Sequence, residues 1–301
     1  MLFGEYSNGT YNVKIYDDGT KIRTAPDDVF IPAFPESCDM TITERCNGGC
    51  SYCYVGCTPE GCHCSFEQYV ELLDSVHPYT ELAINGNDLT HPELEPFLEK
   101  MKQRKVIVNM TVNQRHFEEN LNKIETFCAS GLIKGLGISL YRADERFVDQ
   151  VRGFPNAVIH VINGVLSDDD ISVLGDKELK LLILGYKNIG RGNEWFLNNK
   201  KRIVGRQLWL NDYLSELVKR FKVVSFDNLA LEQLDVKRLL TEQEWQEFYM
   251  GDDGNFTFFI NLVGGYFARD SLSPIHYEIG KKRIDDMFKI IRNGIYHENN
   301  Q

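Results

Sequence analysis

No apolar run in these 301 residues approaches the ~20 consecutive residues that a membrane span needs. A membrane partner is therefore not expected. The opening residues, Met1 to Tyr6, lack a basic region followed by an apolar stretch. No secretory leader is expected, and a cytoplasmic protein is the default expectation. Positive charge is scarce: 33 Lys and Arg stand against 44 Asp and Glu, a net charge of −11. Such a surface repels a phosphate backbone, which disfavours a nucleic-acid partner. The two short basic runs, Lys200 to Arg206 and Lys281 to Arg283, read as solvated faces. Internal repeats and low-complexity segments are absent. Cysteine is absent after Cys128, and seven of the eight cysteines crowd between Cys38 and Cys64. In a reducing compartment such density points to metal ligation before disulfides.

What is present reads as repeated strand–helix units. Tyr11 to Tyr16 alternates polar and apolar residues, and Asp18-Gly19 then turns the chain into Lys21 to Thr24, a hairpin. A proline-containing link from Pro26 to Pro35 follows. Strands are predicted over Asp39–Thr43, Glu81–Asn85, Val106–Val112, Gly135–Leu140, Ala157–Ile162, Leu179–Leu184 and Lys222–Phe226. Helical patterns lie between them: Tyr69 to Val76 behind a Ser65–Gln68 capping box, Pro92 to Arg104, Gln114 to Ser130, Asp144 to Arg152, Ser167 to Leu174 and Leu208 to Phe221. This alternation predicts an α/β fold, a partial (β/α)6-type TIM-like barrel with its site at the C-terminal strand ends. Residues 1–36 form an N-terminal hairpin extension, 37–228 the barrel, and 229–301 a C-terminal helix and hairpin. The second hairpin, Asn255–Asn261 with Gly265–Arg269, is expected to pair with the first or to cover one end of the barrel.

Directly after the first barrel strand comes Cys46-Asn47-Gly48-Gly49-Cys50-Ser51-Tyr52-Cys53-Tyr54, a C-x3-C-x2-C array. Three thiolates suit a [4Fe–4S] cluster with one iron left for an external ligand. A structural zinc site would show two paired C-x-x-C elements instead. The spacing, with aromatic Tyr52 before the third cysteine, resembles the signature of the radical S-adenosylmethionine (radical SAM) superfamily over roughly Asp39 to Phe226. The resemblance implies Cys46, Cys50 and Cys53 as cluster ligands and S-adenosylmethionine as the chelating cofactor. It implies one-electron cleavage of the sulfonium, hydrogen abstraction by a 5′-deoxyadenosyl radical, and a reductant partner such as a flavodoxin or ferredoxin.

It also implies cofactor contacts further along. Asn85-Gly86-Asn87-Asp88 stands where the family carries a Gly-Gly-Glu-like element for the methionyl amino group, so Gly86, Asn87 and Asp88 are candidates. Ser139 stands at a ribose position. Asn163, in Val161 to Val165, and Leu184, in Leu184 to Lys187, stand at adenine positions. Lys187, Asn188, Arg191 and Gly192 form a polar loop for the cofactor carboxylate or the substrate. Asp227 and Asn228 end the seventh strand as substrate contacts, with a helix N-cap as the alternative.

Cys57, Cys62, His63 and Cys64, with Cys38, leave three readings open: a second metal, free thiols including a catalytic thiol near the substrate, or a disulfide. The substrate reads as a peptide or protein, with a nucleoside or small metabolite as the alternative. The other class is a non-catalytic iron–sulfur or zinc-binding module.

Overall fold

The computed structural model describes residues 1–85 and 87–298. The chain opens with β1 (Leu2–Asn8), β2 (Tyr11–Tyr16) and β3 (Lys21–Thr24), an antiparallel sheet in that order. Where the alternation predicts a hairpin, the structure has three strands. β1 escapes the pattern because a register shift between Leu2 and Gly4 breaks its alternation.

The main body alternates strand and helix: β4 (Ser37–Thr41), β5 (Glu81–Asn85), β6 (Ile107–Asn113), β7 (Gly135–Ser139), β8 (Ala157–Ile162), β9 (Lys180–Leu184) and β10 (Val223–Phe226). All seven are parallel, in sequence order, with helices at Val70–Asp74, Leu94–Gln103, Gln114–Glu119, Leu121–Ala129, Glu145–Arg152, Asp168–Leu174 and Arg191–Leu217 between them. The last of these begins 17 residues before Leu208 and is kinked at Asn199. Gln114 to Ser130 is two helices, broken at Asn120. The Ser65 cap is not made: its side chain accepts no hydrogen bond, and a 3-10 turn over Phe66–Tyr69 comes first.

The predicted C-terminal hairpin does not pair with the N-terminal one; Phe256 packs on Tyr11 and beneath the Arg23 guanidinium, 3.8 Å away, while the hairpin's strands extend the barrel sheet. Its first strand, β11 (Thr257–Asn261), pairs parallel with β4. β12 (Tyr266–Ala268) and β13 (Tyr277–Glu278) follow antiparallel, giving the order β10-β9-β8-β7-β6-β5-β4-β11-β12-β13. Local pattern could show the hairpin but not that β4 offered it a free edge. The result is an open, partial barrel. Side chains span its gap: Lys187 Nζ lies 2.8 Å from Ser271 Oγ, and Asn228 Nδ2 lies 2.8 Å from Asp253 Oδ1.

One face of the curved sheet is core. Met40, Leu82, Ile84, Met110, Ile138, Ile159 and Ile183 are fully buried in one cluster with Leu98, Met101, Phe147 and Leu174 of the helices. Side chains alternate across a strand, so Asp39, Asn109, Thr111, Ser139 and His160 share the other face, lining the lumen. Gly135 and Gly137 clear space there. A Cβ on Gly137 would lie 2.4 Å from the His160 ring, and one on Gly135 2.6 Å from Asn109 Oδ1.

The N-terminal sheet reaches the N-terminal ends of the barrel strands through ions. Glu36, almost fully buried, takes Arg23 at 2.8 Å, Lys21 at 3.2 Å and the Tyr11 hydroxyl at 2.6 Å. Lys21 also holds Glu81 at 2.6 Å, and Asn109 donates to Glu81 at 3.2 Å. A polar floor is thereby satisfied group by group, as a buried network requires.

Candidate functional site

The cysteine loop leaves β4 at its C-terminal end, the side where a parallel barrel collects reactive groups. Residues 57–64 run back along 43–46. Thr43 bridges His63, Arg45 bridges Thr58, Glu44 N–H donates to the Cys62 carbonyl at 2.9 Å and Cys64 N–H to Ile42 at 3.0 Å. Gly61 permits this: a Cβ there would stand 2.2 Å from the Glu44 carbonyl oxygen. Arg191 pins the other side. Its Nε donates to Cys50 O at 3.1 Å, its Nη1 to Cys57 O at 2.8 Å and its N–H to Cys53 O at 3.2 Å.

Cys46, Cys50 and Cys53 are unpaired and half-buried. Cys46 Sγ and Cys50 Sγ lie 3.3 and 3.8 Å from the point a Gly48 Cβ would occupy. Cys53 differs electrostatically from its neighbours. The Cys57 thiol and the Gly56 and Cys57 N–H groups favour its thiolate, against burial, and hold it down at about 5. Burial pushes Cys46 and Cys50 up. Among the described residues no three His, Cys, Asp or Glu side chains converge closely enough to hold one metal ion. Three free thiols on one loop are the donor chemistry that a [4Fe–4S] cluster takes, one thiolate to an iron.

At the end of β5, Asp88 is fully buried and neither carboxylate oxygen has a partner among the described residues. Burial pushes its carboxyl well above the ordinary range. It lies near enough to Cys46 and Cys64 to raise both thiols. Asn87, also buried, reaches Asn47 of the cluster loop at 3.4 Å. Gly86 lies outside the described residues. An orphaned buried carboxyl near Cys46 is the kind of group that awaits a donor or cationic ligand.

The remaining candidates divide. Tyr52 is largely enclosed beside Cys50, and Ser139 is half-buried on the lumen face without a partner among the described residues. Asn163 donates to Gln233 at 3.0 Å while its buried Oδ1 is unpartnered among the described residues. Leu184 ends β9, and its carbonyl accepts from Asn163 N–H at 2.8 Å. The amides after it are not free for an adenine edge: Gly185 N–H donates to Asp227 and Tyr186 N–H to Gln233, at 2.8 and 2.9 Å. Lys187 stands 4.1 Å over the Tyr54 ring and is engaged by Ser271. Asp227 caps the helix Asn228–Gln233, its Oδ1 accepting from Ala230 N–H at 2.8 Å, so the structure assigns it the capping alternative.

The second cysteine group does not converge. Cys38 is buried on the core face of β4, Cys62 is exposed, and Cys64 packs against His91, Sγ to Nε2 3.7 Å. His91 Nδ1 accepts from Glu93 N–H at 3.1 Å, which leaves Nε2 as the donor to the Cys64 carbonyl at 3.1 Å. All eight cysteines are free. Replacing Cys57, Cys62 or Cys64 by alanine is accordingly expected to leave iron per chain at the wild-type value, measured after reconstitution. A proportional loss of iron would show a second site.

Two lumen groups have no sequence signal beyond strand position. The His160 ring makes no hydrogen bond among the described residues, and burial pushes its imidazole down to about 4. Asp39 is reachable by solvent within the lumen yet surrounded by protein; burial raises its carboxyl, Lys187 opposes and Asp227 adds. Nearby, beyond Asn228, a cavity of about 680 Å³ is bounded by Glu232, Trp245, Tyr249, Asp253 and Arg269. Burial, with Asp270, Asp39 and Asp227 adding, raises Asp253 to about 6 although Asn228 opposes.

No family model matches the chain, and no curated protein does. Solved structures do. SuiB of Streptococcus suis bound to S-adenosylmethionine superposes with a TM-score of 0.58 at 13% identity, over 88% of this chain and 68% of that one. A second SuiB structure gives 0.53 at 13%, over 86% of this chain and 66% of that one. At this identity the likeness is one of fold: the chain shares the architecture of SuiB.

Proposed function

We propose that this chain is a radical SAM enzyme in which Cys46, Cys50 and Cys53 hold a [4Fe–4S] cluster. When bound, such a cluster supplies the electron that cleaves S-adenosylmethionine, releasing the radical that takes a hydrogen atom from a substrate. The observation that carries the reading is the C-x3-C-x2-C loop standing beside the wholly buried, unpartnered Asp88. Asp88, with Asn87, accepts the methionyl ammonium. Tyr52, Ser139 and Asn163 bound the nucleoside, and the buried Asn163 oxygen takes a donor from it. The ionic network around Glu36 forms the floor beneath the lumen, at the N-terminal strand ends.

Asp88 gives a test with two signs. Asp88→Asn is expected to weaken S-adenosylmethionine binding about tenfold to a hundredfold, the scale of a charge-assisted hydrogen bond. The apo protein moves the other way. A carboxyl raised in the folded state binds its proton more tightly there than in the unfolded chain, so stability falls as pH climbs past the unfolded value of about 4. Asp88→Asn therefore raises the melting temperature at pH 7 and gains nothing below about pH 4. Equal affinity in the two proteins would remove Asp88 from the cofactor site.

For the substrate we favour a peptide or protein. The cavity beyond Asn228 is the size of a ligand site. Its stacked Trp245–Tyr249 pair suits a side chain. Its acids, Glu232, Asp252, Asp253 and Asp270, repel a phosphorylated nucleotide. In the lumen, His160 and Asp39 are the free polar contacts for the reacting segment. A nucleoside or small metabolite is the second reading, since the lumen polar face would serve it too. Mass spectrometry of deuterated candidates, following label into 5′-deoxyadenosine, decides: label from peptides alone supports the first reading, and label from nucleosides alone overturns it.

A further inference from the structure

Each thiol of the cluster loop has hydrogen-bond donors of its own. Cys46 Sγ accepts from Gly48 N–H at 3.3 Å. Cys53 accepts from the Gly56 and Cys57 N–H groups and from the Cys57 thiol. Both sets come from the loop itself. Cys50 is served from elsewhere in the fold: Asn113 Nδ2, at the end of β6, lies 3.4 Å from its sulfur.

The orientation of that amide is fixed. Asn113 caps the helix Gln114–Glu119, and its Oδ1 accepts from Arg115 N–H at 3.0 Å. With the oxygen committed to the cap, the amide can only turn its NH2 toward Cys50. The next residues brace the same loop. Arg115 Nη1 donates to the Gly48 carbonyl at 3.4 Å, and His116 Nε2 lies 2.8 Å from Asn47 Oδ1. One strand end thus delivers three successive contacts to the cysteine loop, and one of them lands on a ligand sulfur.

The geometry points to Asn113 as a positioning residue that sets the reduction potential of the cluster through the Cys50 sulfur. This inference rests on the cluster assignment proposed above. A hydrogen bond to a cluster thiolate favours the reduced, more negative state, so it raises the potential. The cap that orients the donor makes the setting part of the fold.

Asn113→Ser and Asn113→Asp separate this role from helix capping, because Ser and Asp are as good N-caps as Asn. Ser removes the amide donor, and Asp places an anion where the donor was. The midpoint potential is read by electron paramagnetic resonance during anaerobic redox titration of the reconstituted full chain, with iron counted for each protein. The expected order is wild type, then Asn113→Ser, then Asn113→Asp, each more negative than the one before. Iron-loaded variants with the wild-type midpoint would overturn the inference and leave the cluster assignment standing. A wild-type chain that takes up no paramagnetic cluster would overturn both.

Discussion

Cys46→Ala, Cys50→Ala and Cys53→Ala are each expected to lose the iron–sulfur absorbance and S-adenosylmethionine cleavage together. The loss should be at least about a hundredfold, since even outer partners of a metal site cost up to that much. No neighbouring thiol is placed to substitute. Cys62 is exposed, Cys64 is buried against His91, and Cys38 lies on the core side of β4. Cys57 is nearest but is held by Arg191 through its carbonyl and directs its thiol at Cys53. Loop closure is maintained by contacts that do not involve sulfur, such as Arg191 to Cys50 O and Cys46 N–H to Thr58 O, at 3.1 and 2.8 Å. The alanine variants should therefore keep the wild-type far-ultraviolet circular dichroism. Iron content and product analysis after anaerobic reconstitution read the effect; a variant with full iron would remove that cysteine from the ligand set.

The second large effect belongs to the floor of the barrel. Glu36→Ala strips Arg23 of its carboxylate and the Tyr11 hydroxyl of its acceptor, and leaves Lys21 only its pair with Glu81. Breaking a buried pair by deleting one partner costs about 3–5 kcal/mol, roughly 10 °C in melting temperature for a chain of this size. Burial alone would raise Glu36, yet Lys21 and Arg23 hold it below the ordinary carboxylate range. A depressed folded value means that its contribution is complete above the unfolded value of about 4.3 and is lost as pH falls through the folded one. Thermal melts from pH 3 to 7 should show a steep acid limb for the wild type and a shallow one for Glu36→Gln. Superimposable limbs would show that the network carries no net stability.

The sequence made the sheet legible where strands were short, apolar and bounded by turn residues. Glu81–Asn85 and Ala157–Ile162 are found with the predicted ends. It failed at β1, whose bulge breaks the period, and at the pairing of β11, whose partner lies more than 200 residues away along the chain. The cysteine array was readable because Cys46, Cys50 and Cys53 lie close together in the sequence. The groups that serve it were not. Asn113 and His116 approach from the end of β6, and only the Asn113 cap position at a strand–helix junction hinted at a role on that face. Asp88 was suggested by the resemblance, but its isolation from every partner among the described residues is a three-dimensional fact. By composition Cys57 to Cys64 left a second metal, free thiols and a disulfide all open. In three dimensions that segment is bridged to Thr43 and Arg45 and clamps the base of the loop.

The central claim is that three thiolates and an open iron cleave S-adenosylmethionine here. Anaerobically reconstituted wild-type protein, given S-adenosylmethionine and dithionite, should form 5′-deoxyadenosine, and Cys50→Ala treated identically should form none. Absence of 5′-deoxyadenosine from a wild-type chain that carries its full complement of iron would contradict the account.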